Sequence, residues 1–142
     1  FSFEVYGNFG NKVYNANKGV RTGGKYNVEY NIAINRWEPG SNENKYPRAF
    51  NGVIPPLDYF VESGSFVRIN NLTLGYTFLP KNNPVHVGSL RVYASAQNPF
   101  LITKYTGFTP ELGGANQNEA GIDLNVYPVS ATYMVGVSIQ FK

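Results

Sequence analysis

The sequence has no cysteine. That excludes a disulfide framework and a thiolate metal site, and leaves the compartment open. Histidine is nearly absent too: His86 is alone. It stands in a turn-like stretch without neighbouring carboxylates, so it reads as a turn residue rather than a metal ligand or general base. Ser65 and Ser95 therefore have no histidine partner, and no nucleophilic triad can be assembled. Charge is sparse, at 15% of residues, with a net +3. The lysines and arginines are scattered, so the basic stripe of a nucleic-acid binder is missing. Asp58 with Glu62, and Glu111 with Glu119, stand in polar loops and read as solvated carboxylates, not a glycosidase pair. Tyr6-Gly7-Asn8-Phe9-Gly10 lacks the helix and lysine of a phosphate loop. The chain thus reads as a non-enzyme with no cofactor and no metal. It also lacks a run of about 18 apolar residues, which excludes a transmembrane helix. Membrane-spanning β-strands stay open, because they alternate and hide from hydropathy. The first residue is Phe1 rather than Met, with no signal peptide, so the expectation is a processed or partial chain.

Aromatic residues, in contrast, make up 15% of the chain, with 11 Tyr and 10 Phe, as β-structure favours. The stretch Phe66–Pro80 organises the rest. Leu72, Leu74, Tyr76 and Phe78 share one face, and Thr73, Gly75 and Thr77 share the other, a period of two that predicts a strand over about 65–79. Its apolar face ends in an aromatic pair and its polar face is small and neutral, as in a transmembrane β-strand; soluble sandwiches also carry such strands. Residues 1–14, 90–101 and 131–141 read as three further strands. The last is the cleanest, with Tyr133, Val135, Val137, Ile139 and Phe141 on one face. Between them lie long connections at 15–64 and 102–130 and a short turn at 80–89. A short helix is predicted over Tyr26–Trp37 from Tyr30, Ile34 and Trp37. The long–short–long order of connections matches an outer-membrane barrel, whose short turns are periplasmic and long loops extracellular. Four strands cannot close, and open edges in lipid cost several kcal/mol per unmet group. The expected fold is therefore all-β: an antiparallel portion of a larger barrel.

The chain resembles the C-terminal portion of a SusC/RagA-type TonB-dependent outer-membrane transporter of Bacteroidetes. The resemblance rests on Tyr6-Gly7-Asn8, Val13-Tyr14-Asn15-Ala16-Asn17, Asn35-Arg36-Trp37 and Tyr46-Pro47-Arg48. It continues through Ser63 to Tyr76, Leu90 to Phe100, Lys104-Tyr105-Thr106-Gly107-Phe108, Tyr127-Pro128 and the terminal strand. Thr109 stands where the family usually has Asp before Pro-Glu, and Lys142 follows the terminal aromatic. Gly136, Ile139 and Phe141 match the barrel-insertion signal of outer-membrane strands; Met134 departs from it.

The resemblance implies the last four strands of a barrel of about 22, filled by a plug. It implies import of oligosaccharides or peptides, with a SusD-like lipoprotein as lid. It further implies outer-membrane lipid around the wall and TonB–ExbB–ExbD acting through an N-terminal part not included in this sequence. Trp37, Tyr46, Tyr59 and Phe60 in the first loop, and Tyr105, Phe108 and Tyr127 in the second, are candidate cargo or lid contacts, since sugars stack and peptides pack on aromatic faces. The alternative for each is packing of the loops onto the barrel rim. Two readings compete for the whole chain: a structural barrel component without a transport role, and a soluble β-sandwich that binds carbohydrate.

Overall fold

The computed structural model describes residues 1–23, 27–43, 45–50, 57–80, 86–113 and 120–141. In chain order these form strands β1 (Ser2–Asn8) and β2 (Lys12–Asn15), helices α1 (Ala16–Thr22) and α2 (Tyr30–Ile34), and strands β3 (Val61–Ser63), β4 (Phe66–Phe78), β5 (Val87–Thr103), β6 (Ile122–Asp123) and β7 (Thr132–Phe141). They divide into two compact units: Phe1–Phe9, Phe66–Thr103 and Val129–Lys142, and then Gly10–Ser65 with Lys104–Pro128.

The first unit is a four-stranded antiparallel sheet in the order β1-β4-β5-β7. Directly paired residues share a face, so the alternation within each strand adds up across the sheet. Leu74 pairs with Ala94 and Ala94 with Val135; Tyr76 with Val92 and then Val137; Phe78 with Leu90 and then Ile139. The opposite rows are Thr73–Ser95–Met134, Gly75–Tyr93–Gly136 and Thr77–Arg91–Ser138. One face is thus aliphatic and aromatic, the other small and polar. A soluble sheet buries its apolar face. Here Leu74 is 65% and Val135 82% exposed.

The apolar positions of β4 change phase, from even numbers at Leu72–Phe78 to odd numbers at Val67 and Ile69. A one-residue slip would send Val67 and Ile69 to the polar side. The structure absorbs the slip in adjacent bulges. Pairing of β1 with β4 jumps from Glu4↔Asn71 to Val5↔Ile69, which leaves Asn70 out. Pairing of β4 with β5 jumps from Asn71↔Gln97 to Ile69↔Phe100. Asn98 adopts φ +51°, which asparagine tolerates, and Pro99 has no amide to leave unpaired. The apolar face then continues as Val5–Ile69–Phe100, while Phe66 and Arg68 on the other face are buried.

On the polar face Gly136 is a seat. A β-carbon there would lie 2.5 Å from the Tyr93 hydroxyl oxygen, and one at Gly75 would lie 3.1 Å from Tyr93 Cβ. The Arg91 guanidinium in turn lies 5.9 Å from the Tyr93 ring centroid.

The second unit holds a small sheet in the order β3-β2-β6, antiparallel between β2 and β3 and parallel between β2 and β6. Val13, Ile32, Phe60 and Tyr105 are its buried apolar residues. Tyr14 and Tyr59 meet Phe60 edge-on, with centroids 6.0 and 5.3 Å away.

Several sequence expectations change. The predicted strand 1–14 is two strands: Gly10, at φ +84°, breaks it, and β2 joins the other sheet. The connections 15–64 and 102–130 carry β3, β6 and both helices. Helix α1 was not predicted. Asn15 caps it, its Oδ1 accepting the Lys18 amide at 2.9 Å, and this signal was masked by the Asn- and Gly-rich composition. Helix α2 is shorter than Tyr26–Trp37, and Tyr26 lies outside the described residues. Strand β5 begins at Val87 rather than residue 90. Asn82-Asn83-Pro84 of the turn, Ile54-Pro55-Pro56, Gly114, Glu119 and Lys142 also lie outside the described residues.

Candidate functional site

In the second unit the two long connections are tied together by one carboxylate. Glu62 stands on β3, opposite Val13 of β2. Its oxygens accept the Thr106 amide at 2.9 Å and the Thr106 hydroxyl at 2.7 and 2.8 Å. Lys18, in the first turn of α1, brings its Nζ to 3.2 Å from the same carboxylate. That ammonium also donates to the Tyr59 carbonyl at 3.0 Å and lies 4.0 Å from the Tyr59 ring centroid. Asn15 Nδ2 reaches Glu62 and the Thr106 hydroxyl, each at 3.4 Å. Burial alone would raise the Glu62 pKa, but the Thr106 hydroxyl and amide together with Lys18 overcome it and hold the carboxyl below its ordinary value.

A second tie sits beside it. The buried Tyr105 hydroxyl donates to Asp123 Oδ2 at 2.6 Å. Burial first, and then this bond to an anion, push the phenol well above its usual range. The other oxygen of Asp123 accepts the Asn125 and Val126 amides, both at 3.1 Å, and Asn17 Nδ2 at 3.3 Å. Gly107 is required next to Tyr105, because a β-carbon there would lie 2.6 Å from the ring's Cζ.

Two concavities open on this scaffold. One, of about 340 Å³, is lined by residues including Asn17, Lys18, Arg21, Thr106 and Phe108. The other, of about 650 Å³, is lined by residues including Arg36, Trp37, Glu38 and Arg48. It is shaped by a short contact in which the Trp37 amide donates to the Tyr46 carbonyl at 2.9 Å and the Tyr46 amide to the Asn35 carbonyl at 3.3 Å.

The candidate aromatics separate by burial. Phe60 is fully buried and Tyr105 is 6% exposed, so both serve the loop core. Tyr59 and Tyr46 are half-buried, and burial raises the Tyr59 phenol pKa, followed by the Tyr46 and Glu62 charges. Trp37, Phe108 and Tyr127 are exposed; Trp37 and Phe108 each line a concavity. The structure does not bring the seven into one patch. On the sheet, Gly136 seats Tyr93 while Ile139 and Phe141 are exposed. Glu62, weighed in sequence as half of a carboxylate pair, is instead engaged by Lys18 and Thr106. The parts of Lys18, Glu62, Thr106 and Asp123 had no local signal, since Glu62 and Thr106 are 44 residues apart and Asn17 and Asp123 are 106 apart. Among the described residues no group of three or more His, Cys, Asp or Glu is placed to hold a metal ion.

No protein-family profile matches the chain. It is 45% identical over 86 residues to the TonB-dependent receptor SusC of Bacteroides thetaiotaomicron, covering 59% of this chain and 8% of that protein. It is 33% identical to the TonB-dependent receptor P39 of Formosa agariphila, covering 99% of this chain and 14% of the relative. In structure it is similar to the RagAB peptide importer in its open-open state, with a TM-score of 0.76 and 26% identity over 98% of this chain and 15% of that one. The RagAB peptide transporter gives a TM-score of 0.77 and 27% identity over 96% of this chain. The chain therefore spans 8 to 15% of the length of the relatives it matches.

Proposed function

Because the chain belongs to the SusC/RagA-type TonB-dependent receptors, a family of outer-membrane transporters rather than enzymes, we propose that it is the C-terminal wall of a TonB-dependent importer of oligosaccharides or peptides. In this reading β1, β4, β5 and β7 are four strands of a closed barrel of about 22. The connections from β1 to β4 and from β5 to β7 are extracellular, and the turn between β4 and β5 is periplasmic. The remaining barrel and plug complete the channel, a SusD-like lipoprotein covers its mouth, and TonB–ExbB–ExbD supplies the energy through the N-terminal part. Trp37, Phe108 and Tyr127 are the proposed cargo or lid contacts among the loop aromatics. Gly136, Ile139 and Phe141 are the proposed insertion signal.

The observation that carries this reading is the apolar face, kept in phase across four strands by bulges and exposed at Leu74, Tyr76, Phe78, Val135, Val137 and Ile139. A contiguous exposed apolar surface of this kind calls for a partner, and a lipid tail is an apolar one that asks for no hydrogen bonds. Cysteine labelling of the full transporter, made cysteine-free elsewhere, tests it. Leu74→Cys and Val135→Cys should react with a lipid-phase maleimide in intact outer membrane and resist a water-soluble one, while Ser95→Cys should not show the lipid-phase reaction. A chain that stays in solution without detergent and takes the water-soluble reagent at both apolar positions would leave the soluble sandwich reading in its place. Cargo uptake unaffected by TonB depletion would leave the structural barrel component.

A further inference from the structure

The pocket of about 650 Å³ beside Trp37 joins a cationic lining to an open aromatic face. Arg36 is fixed in place. Its Nη2 donates to the Thr22 and Gly23 carbonyls at 2.8 and 3.1 Å, at the C-terminal end of α1, where a cation is favoured. Its Nε is buried and has no partner among the described residues. Arg48 is exposed and lines the same pocket, and Trp37 is 42% exposed. Val28, Ala33 and Pro39 supply apolar wall, and Glu38 is the one acid among the lining residues.

We propose that this pocket is a subsite for an acidic sugar residue of the cargo, with the pyranose ring against Trp37 and its carboxylate met by Arg48, the fixed charge of Arg36 lying in the same wall. Guanidinium groups match carboxylates in a fork that lysine does not reproduce. A flat indole suits the C–H face of a sugar. An extended peptide would instead need free main-chain groups or a strand edge. In this pocket the Trp37 and Tyr46 amides are already paired in the parallel bridge between Arg36 and Tyr46. The volume lies within the range of small-ligand sites, about 300–1,000 Å³.

The proposal rests on the importer reading, and the test separates the two. The full transporter is extracted from outer membrane in mild detergent and titrated calorimetrically with trigalacturonate, with neutral galactotriose and with triglutamate. Trigalacturonate is expected to bind at least about tenfold more tightly than galactotriose. Arg48→Gln and Trp37→Ala are each expected to weaken it about tenfold, and Arg48→Lys to recover only part of the loss. Arg36 is left intact, because it holds the end of α1. A correctly inserted, heat-modifiable barrel that ignores trigalacturonate, or whose Arg48→Gln and Trp37→Ala variants titrate like the parent, overturns the subsite and leaves the importer reading standing. Equal binding of triglutamate replaces the sugar with an acidic peptide and overturns it too. A chain not recovered in the outer membrane at all counts against the importer reading itself.

Discussion

Glu62→Gln is the most informative single change in the loop unit. Gln keeps the shape and one acceptor oxygen but loses the charge. In the parent, the carboxylate takes the Thr106 amide at 2.9 Å and the Thr106 hydroxyl at 2.7 Å, with Lys18 at 3.2 Å. Hydrogen bonds to a charged group are worth about 1.5–3 kcal/mol each, and one acceptor survives the substitution. The Lys18 contact is part-exposed, with side-chain exposures of 25% and 11%, so it adds no more than about 1 kcal/mol. Lys18 also keeps the Tyr59 carbonyl and ring, so it is not stranded. The net loss is about 2 kcal/mol for local separation of the two connections. At about 1.4 kcal/mol per factor of ten, that is roughly a 30-fold rise in the open fraction. The assay is hydrogen exchange of the intact transporter in detergent, read at the Thr106 amide and on β3. Exchange there should accelerate about 30-fold while the pairing of β4 with β5 is unchanged. Unaltered protection at Thr106 would refute the claim that this carboxylate joins the connections.

The same carboxylate sets a pH dependence. Its folded pKa is depressed, so its contribution is fully present above the unfolded value of about 4.3 and is lost as pH falls through the folded one. The tie should therefore hold at neutral and mildly acidic pH and loosen in strong acid, read as pepsin cleavage in the second unit rising below about pH 4; no acid sensitivity of Glu62-dependent protection would count against it. At Gly7, a β-carbon would lie 2.5 Å from the Phe66 carbonyl oxygen, a backbone atom that cannot swing aside. Gly7→Ala should destabilise the pairing of β1 with β4 by about 1–3 kcal/mol, seen as a lower temperature for the heat-modified gel shift of the barrel. Gly136→Ala should reduce barrel yield by crowding Tyr93, and Tyr93→Ala in the same chain should restore it. Absence of rescue would favour the insertion-signal role of Gly136 over the seat.

The sheet was legible because alternation is local: each of β4, β5 and β7 declares its apolar face within ten residues or so. The phase change on β4 was also visible, as Val67 and Ile69 against Leu72 and Leu74. Its resolution was not, because a bulge is defined by the partner strand, here through Asn70 and the left-handed Asn98. The break at Gly10 was hidden for a related reason. Glycine reads equally as a strand residue or a turn, and only the pairing of β2 with β3 and β6 shows that Val13 and Tyr14 belong elsewhere. The loop unit was the least legible part. Its core is Val13, Ile32, Phe60 and Tyr105, drawn from four separate stretches, and its polar ties join residues that have no periodic relation.

The two units solve opposite problems, and the same residue types do different work in each. On the apolar face of the sheet the aromatics Tyr76, Phe78, Tyr133 and Phe141 are exposed, and glycine serves close packing: Gly136 gives space to Tyr93 and Gly7 lets β1 approach β4. In the loop unit, aromatics are either buried and bonded, as Tyr105 is to Asp123, or left open beside charge, as Trp37 is beside Arg48. A flexible loop would lose the entropy of ordering each time it met a ligand. Glu62 fastens Thr106, two residues from Phe108, and the Arg36 and Tyr46 contacts fasten the segment of Trp37, so neither has to be ordered anew. If Phe108 is a cargo contact as proposed, Glu62→Gln should weaken cargo binding by the full transporter, and an unchanged affinity would count against that role.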